Sequence, residues 1–153
     1  MVNLRYVNLV WLGGAILKHS RLIDHYNYAF DTMQFDEMYD LMTEDFYFRN
    51  PSLEITGRDN YIRYAKDILG TYSHETVRIY AKSEDEYVHE YYLTFLSSAD
   101  KFYDRVFIVA QIKMEQGLIS NYVIDYNLDN VSTATQDVLV GSTQKHGMLL
   151  EQG

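Results

Sequence analysis

The chain of 153 residues contains no cysteine and only one proline, Pro51. Without cysteine it can have no disulfide framework, no thiolate nucleophile and no cysteine metal site. Its longest apolar run, Leu9 to Leu17, is too short to span a bilayer, which requires about 20 residues. Because no small-residue cleavage site follows that run, it also makes a poor signal peptide. We therefore expect a cytoplasmic protein that has no membrane partner.

Basic residues are also scarce. The chain has 13 Lys and Arg against 22 Asp and Glu, which gives a formal net charge of −9. Sequence-independent binding of nucleic acid requires a basic surface that neutralises phosphates. Docking on an anionic membrane requires a similar surface. We therefore expect neither nucleic acid nor membrane as a partner.

Tyrosine, in contrast, is abundant, with 15 residues beside 7 Phe and 1 Trp. A tyrosine side chain combines an apolar ring with a polar hydroxyl group. Such residues pack into β-rich cores, and they also line ligand cavities and protein interfaces. Composition alone leaves both interpretations open.

The apolar spacing predicts three helices in the first half of the chain. One covers 20–33 with Ser20 as its N-cap, a short one begins at Phe35, and a third covers 58–69 and ends at Gly70. Between the second and third helices we predict a turn at Thr43-Glu44-Asp45 and then a short aromatic strand, Phe46 to Phe48, which ends at Asn50-Pro51.

After Gly70 the apolar period changes from 3.6 to 2, which predicts four strands at about 75–82, 86–97, 102–115 and 118–128. The turns between them are predicted at Ser83-Glu84-Asp85, at Ser97-Ser98-Ala99-Asp100 and at Glu115-Gln116-Gly117. Helices followed by an antiparallel meander indicate an α+β fold. We expect three helices packed in a strongly curved, mostly antiparallel sheet that forms a cone. The predicted domain is 20–128, with an extension at 1–19 and a tail at 129–153.

Alternation along the second and third long strands predicts which side chains face the inside of the cone. His89 and Tyr91 share the less charged face of the second strand, and Ile108, Ala110 and Ile112 share the apolar face of the third. An inward imidazole could act as an acid or a base because its pKa lies near neutrality. It could equally be a core histidine satisfied by a tyrosine hydroxyl.

Two carboxylates and one amide remain ambiguous at this point. On the last strand, pattern alone turns Tyr122, Ile124 and Tyr126 inward, and Asp125 outward. Asp104 is either a carboxylate at the cavity mouth or a strand-edge charge. Asn50 either caps the turn at Pro51 or contacts a ligand or water.

We expect no metal and no cofactor. No two histidines have the i, i+4 helical or i, i+2 strand spacing of a metal site. No phosphate-binding loop, dinucleotide fingerprint or nucleophile elbow occurs either.

A set of short motifs in this order resembles the nuclear transport factor two-like superfamily. The motifs are Tyr26-x8-Phe35-Asp36-x-Met38-x2-Leu41-Met42-Thr43-Glu44-Asp45, Asn50-Pro51, Gly57-Arg58-Asp59 and Gly117-Leu118-Ile119 leading to Asp125-Tyr126. The superfamily consists of α+β cones and includes SnoaL-like polyketide cyclases, steroid Δ-isomerases, limonene epoxide hydrolase and scytalone dehydratase. Because the fold hosts such varied functions, the resemblance predicts the fold more specifically than the activity.

Comparison with the isomerases matches one residue of their active site. Tyr26 occupies the place of their oxyanion-donating tyrosine. Asn50 stands where they have the aspartate base, and an amide cannot accept a proton. Ala110 stands where they have a second acidic donor, so the oxyanion pair is incomplete.

The epoxide hydrolase and the cyclases provide further correspondences. Asn50 matches the water-binding asparagine of the hydrolase, and Phe48 stands in place of its tyrosine. Tyr91 and Leu93 occupy the places of its Arg and first Asp. Asp125 matches its last aspartate only after a one-residue shift, which would turn the side chain inward. The cyclases use a His-Asp pair, for which His89 and Asp125 are the candidates.

From these observations we predict a protein that binds a small apolar or aromatic molecule in a deep, tyrosine-lined pocket. If it is an enzyme, we expect cofactor-free isomerisation, cyclisation or water addition. Its catalytic residues would be Tyr26, His89 and Asp125, with Asn50, Phe48, Tyr91, Ile108, Ala110 and Ile112 binding the ligand. We also expect a homodimer that buries Phe107, Val109 and either Tyr122 or Val123. The alternative is a non-catalytic protein-interaction module that uses the outer sheet face.

Overall fold

The computed structural model describes residues 14–67, 71–96, 103–133 and 148–149. Its helices are α1 (Gly14–Asp31), α2 (Phe35–Asp40) and α3 (Arg58–Asp67), with a 3-10 turn at Leu128–Asn130. The strands are β1 (Met42–Arg49), β2 (Leu53–Thr56), β3 (Thr71–Ala81), β4 (Glu86–Leu96), β5 (Tyr103–Glu115), β6 (Leu118–Asp125) and β7 (Met148–Leu149). The predicted end of the third helix at Leu69-Gly70 and the predicted turn at 97–100 lie outside the described residues.

The seven strands form one sheet in the order β3-β4-β5-β6-β1-β2-β7. All neighbouring strands are antiparallel except β1 and β6, which run parallel. Helix α1 packs against β3, and α3 packs against β1. The helices therefore cover the inner face of the sheet, which confirms the predicted α+β cone.

The hairpin between β5 and β6 shows how local sequence determines this topology. Glu115 pairs with Leu118, so only Gln116 and Gly117 form the turn. Both have positive φ, 52° and 80°. Two successive left-handed residues are the signature of the type I′ turn, whose twist matches that of the flanking strands. The predicted turn at this position is confirmed.

Several element boundaries differ from the sequence predictions. Ser20 is fully buried inside α1 and is therefore not its N-cap, because the helix already begins at Gly14. Strand β1 begins at Met42, and the predicted turn at 43–45 is instead an irregularity in its pairing with β6. Strand β2 was not predicted, since four residues carry too short an alternating pattern. After residue 128 the chain still contributes to the fold, since Val131 is in the core and β7 pairs with β2.

The inner faces of β4 and β5 follow the predicted alternation. His89 and Tyr91 are buried on β4, and Ile108, Ala110 and Ile112 are buried on β5. Within the described part of the chain, no helix is both long and apolar enough to cross a membrane.

Candidate functional site

A cavity of about 100 Å³ lies inside the cone between α1, α3 and the sheet. That is several times the space needed for one buried water molecule. Its wall contains seven tyrosines, Tyr26, Tyr61, Tyr64, Tyr72, Tyr91, Tyr122 and Tyr126, and three phenylalanines, Phe30, Phe48 and Phe95. Most of the wall surface is therefore apolar, and the tyrosine hydroxyl groups are separate polar points on it.

The half-buried lining residues mark the side on which the cavity approaches solvent. They include Leu93 near the end of β4, Ile124 near the end of β6, and Tyr126 just after it. Tyr26, Phe48 and Tyr61, in contrast, are buried and form the deep wall. The cavity thus extends from one end of the cone toward its centre.

The end of α1 places a carboxylate beside this cavity. Met33 has a positive φ of 58°, and the N–H groups of Met33 and Gln34 donate to the carbonyls of Phe30 and Ala29. This arrangement is the Schellman motif, which ends a helix abruptly. The last helical residue, Asp31, consequently faces β3.

Asp31 forms a pair with His74, whose ring lines the cavity. His74 Nδ1 lies 2.6 Å from Asp31 Oδ1, and the backbone N–H of His74 donates to Asp31 Oδ2 at 3.0 Å. Because a carboxylate can only accept hydrogen bonds, Nδ1 must carry the proton. The side chain of His74 is 9% exposed and that of Asp31 is 19% exposed, so the pair is well shielded from water.

Tyrosine hydroxyls form hydrogen bonds across the deep wall. Tyr26 donates to the hydroxyl of Tyr61 at 3.0 Å. Tyr122 lies in reach of two acceptors, Asn27 Oδ1 at 3.2 Å and the Tyr91 hydroxyl at 3.3 Å. These contacts fix the orientation of the rings and therefore the shape of the cavity.

His89 lies behind this wall and does not line the cavity. It is 0% exposed, and its ring lies 4.6 Å from the ring of Tyr91. Asn27 Nδ2 is 3.2 Å from Nδ1 of His89, and the Thr76 hydroxyl is 2.7 Å from Nε2. Asn27 and Tyr91, which both line the cavity, connect His89 to it.

The cavity surroundings are electrostatically neutral to negative. Burial raises the pKa of Tyr26, Tyr64 and Tyr91 well above the usual value, so these phenols stay protonated at neutral pH. Burial also raises the pKa of Tyr126, to about 12. Asp104 lines the cavity, and no Lys or Arg is found among the described lining residues.

The expected pair of His89 and Asp125 is not formed, and that prediction was wrong. Ala110 pairs with His89 on one side and with Ile124 on the other, so Asp125 lies two strands, about 10 Å, from His89. Asp125 is exposed on the opposite face of the sheet. Alternation along β6 predicted this orientation correctly, whereas the one-residue shift suggested by the family resemblance did not.

The other predicted residues are divided between cavity and core. Tyr26, Phe48, Asn50, Tyr91 and Ile108 line the cavity. Ala110 and Ile112 face inward but belong to the packed core, outside the cavity lining.

Asn50 and Asp104 combine structural and cavity positions. Asn50 Oδ1 accepts from the N–H groups of Ser52 and Leu53, at 2.8 and 2.9 Å, so its side chain does cap the turn while lining the cavity. Asp104 also lines the cavity, and it accepts from the Ser132 hydroxyl at 2.8 Å.

Five residues of the site, Asp31, Tyr61, Tyr64, Tyr72 and His74, were not predicted as site residues from the sequence. The predicted strand that corresponds to β3 was started at 75, so Tyr72 and His74 were not placed on a face. Their inward alternation is out of phase with that of Ile79, because a bulge between Thr76 and Arg78 interrupts the strand. Extending the pattern back from Ile79 would therefore have placed both residues on the outer face. Among the residues described, no three His, Asp or Glu side chains converge to hold a metal ion.

Comparison with known proteins gives a family match and several similar folds. The model of the SnoaL-like domain matches residues 23–122. No curated protein matches the sequence. The fold is similar to that of a protein assigned as a polyketide cyclase from Xanthomonas campestris pv. campestris, with a TM-score of 0.69 and 17% identity over 76% of this chain and 95% of the other.

Two other solved structures have the same fold. An LEH-like epoxide hydrolase from Mycobacterium tuberculosis matches with a TM-score of 0.69 and 12% identity, over 84% of this chain and 91% of the other. A protein assigned as a ketosteroid isomerase from Kribbella flavida matches with a TM-score of 0.61 and 22% identity, over 72% and 78%. At these identities the similarity concerns the fold.

Proposed function

The chain belongs to the SnoaL-like domain family, and we propose that it binds a small, uncharged apolar or aromatic molecule in the tyrosine-lined cavity. The observation that carries this proposal is the cavity itself, which is lined by ten aromatic rings. Pockets for small molecules are typically concave and mostly apolar, with few polar groups that orient the ligand. The structural relatives include proteins described as cyclases, isomerases and epoxide hydrolases, whose names imply small-molecule substrates.

A pair of tryptophan substitutions on β4 tests this proposal. Leu93 lines the cavity at its half-buried side, whereas the adjacent Thr94 faces the other side of the sheet because strand side chains alternate. We expect Leu93→Trp to fill the cavity and to weaken binding of α-methylstyrene, an uncharged aromatic hydrocarbon, at least tenfold. The control Thr94→Trp should change the dissociation constant less than twofold. NMR titration measures the dissociation constant of α-methylstyrene for each variant. Equal effects of the two substitutions would contradict a binding site in the cavity.

A second candidate function is cofactor-free acid–base catalysis, and the Asp31–His74 pair favours it. Asp31 holds the proton on Nδ1, which leaves Nε2 of His74 as the nitrogen that can accept a proton from a bound molecule. The carboxylate would then stabilise the resulting imidazolium. Tyr26 and Asn50 are proposed as ligand contacts, and His89 as a positioning residue that acts through Asn27.

We also propose that the protein is a homodimer that uses the outer face of the sheet. Phe107 and Val77 are 42% and 54% exposed, and Val109 and Val123 are partly exposed on the same face. Tyr122 is buried inside the cone, so Val123 is the outward member of that pair. We expect light scattering to give the mass of two chains at micromolar concentration and Phe107→Glu to give the mass of one. A single-chain mass for the unmodified protein would contradict the dimer.

A further inference from the structure

Three tyrosines at the cavity have hydroxyl groups that bond to none of the residues that the structure describes. One of them, the hydroxyl of Tyr72, is also buried. Tyr64 and Tyr126 make no hydrogen bond with any residue that the structure describes, unlike Tyr26, Tyr61, Tyr91 and Tyr122. A buried donor without a partner costs about 1–3 kcal/mol. The unpaired buried hydroxyl of Tyr72, beside two further unbonded hydroxyls at the same cavity, therefore indicates a place for a polar atom of a ligand.

The three hydroxyls come from three different segments of the fold. Tyr64 lies on α3, Tyr72 on β3, and Tyr126 directly after β6, and all three line the cavity. Burial is the main cause of the raised pKa of Tyr64, and Tyr72, Tyr61 and Tyr126 also raise it, so these phenols lie within electrostatic range of Tyr64. The Tyr72 ring is held by stacking on Phe95 at 4.7 Å and by an edge contact with Phe30 at 5.0 Å. Its hydroxyl is therefore held in place before any ligand binds.

The charges around the cavity specify the kind of oxygen to which these hydroxyls can donate a hydrogen bond. A carboxylate or phosphate group would require a cationic partner. The described lining residues include the carboxylate of Asp104 but no Lys or Arg. Phenols that keep their protons are neutral donors, which suit a carbonyl, hydroxyl or ether oxygen.

We propose that Tyr64, Tyr72 and Tyr126 form a subsite for one uncharged oxygen of the ligand, and that Tyr72 donates the main hydrogen bond. This inference rests on the proposed ligand-binding function and adds the position of the ligand's polar group. Tyr72 and His74 are two residues apart on β3 and both line the cavity. The apolar body of a ligand anchored at Tyr72 consequently passes beside His74.

Two probes of nearly equal shape test the subsite. Acetophenone has a carbonyl oxygen where α-methylstyrene has a methylene group. We measure the dissociation constants of both by NMR titration for the unmodified protein, Tyr72→Phe and Tyr80→Phe. Tyr80 lies on the same strand and is exposed, so it controls for the loss of a tyrosine hydroxyl. For each variant we divide the dissociation constant of α-methylstyrene by that of acetophenone. The hydration of the free probes is the same for every variant, so it cancels when these ratios are compared between variants.

We expect Tyr72→Phe to reduce the preference for acetophenone at least threefold while the affinity for α-methylstyrene stays within twofold. Tyr80→Phe should leave the preference unchanged. A change of less than threefold for Tyr72→Phe, with α-methylstyrene still bound, overturns the subsite and leaves the proposed function standing. Absence of binding of both probes to the unmodified protein overturns the proposed function itself.

Thermal stability provides a readout that needs no ligand. Because the Tyr72 hydroxyl bonds to none of the described residues, we expect Tyr72→Phe to remove no hydrogen bond. The melting temperature should then equal or exceed that of the unmodified protein. Loss of a hydrogen bond in a chain of this length lowers the melting temperature by about 3 °C. A decrease of that size for Tyr72→Phe would show that the hydroxyl is bonded within the protein and would overturn the subsite.

Discussion

At the scale of single residues, the contact between Asp31 and His74 predicts which ring nitrogen of His74 carries the proton. Asp31 accepts from both the ring and the backbone N–H of His74. We expect His74 to carry its proton on Nδ1 and Asp31→Ala to shift it toward Nε2. Loss of the buried acceptor should also lower the free energy of unfolding by about 1–3 kcal/mol. Long-range ¹H–¹⁵N correlation spectra report the tautomer, and denaturant titration reports the stability.

A matched control for this substitution exists on the surface. His25 contacts Glu37 at 2.9 Å with both side chains 49% exposed. Exposed ion pairs contribute only about 0–1 kcal/mol, so Glu37→Ala should have a small effect. If Asp31→Ala left both the tautomer of His74 and the stability unchanged, the pair would have no role in fixing the imidazole.

Residue-level prediction from the sequence succeeded where a face was defined by alternation. The inward positions of His89, Tyr91 and Ile108 follow from the period of two along β4 and β5. Contacts between distant segments could not be predicted in this way. Asp31 and His74 are 43 positions apart in the sequence, and the left-handed Met33 that ends α1 helps to bring them together. A methionine gives no sequence signal for that conformation, which glycine adopts most readily.

At the scale of elements, long periodic segments were predicted well and short ones were not. Strands β4 and β5 end within a residue or two of the predicted positions, since each contains many alternating residues. Strand β2 has four residues, and its position depends on Asn50, whose side chain caps the turn at Pro51. Pairing with β1 and β7 stabilises this strand, and such pairing is not encoded in its own sequence.

The parallel pairing of β1 with β6 has direct consequences for the site. It brings Phe48 opposite Tyr122 and thereby joins the N-terminal aromatic strand to the end of the meander. The two rings stack at 6.4 Å in the cavity wall. The residue pattern of β1 does not identify β6 as its neighbour, because no turn connects the two strands.

At the scale of the whole molecule, the buried tyrosines predict how stability depends on pH. An unfolded tyrosine has a pKa near 10. Burial in the folded state raises the pKa of Tyr126 to about 12 and that of Tyr26, Tyr64 and Tyr91 well above 10. The folded state then binds more protons than the unfolded state above pH 10. Stability is therefore fully present below pH 10 and decreases as pH rises through the folded-state pKa values.

We accordingly expect cooperative alkaline unfolding with a midpoint above pH 10. Absorbance at 295 nm, which reports tyrosine ionisation, should rise together with the loss of the far-ultraviolet circular dichroism signal. Ionisation of all 15 tyrosines near pH 10 with an unchanged dichroism spectrum would show that the cavity wall is accessible to water in the folded state.

The central claim is that ligands enter the cone, in contrast to docking on the outer face of the sheet. The most direct measurement is a set of intermolecular NOEs between bound α-methylstyrene and methyl groups on the two faces. We predict NOEs to the methyls of Ile108 and Ile124, which line the cavity. NOEs to Val77, Val109 and Val123, with none to Ile108 or Ile124, would contradict the claim and would favour the outer face as the interaction surface.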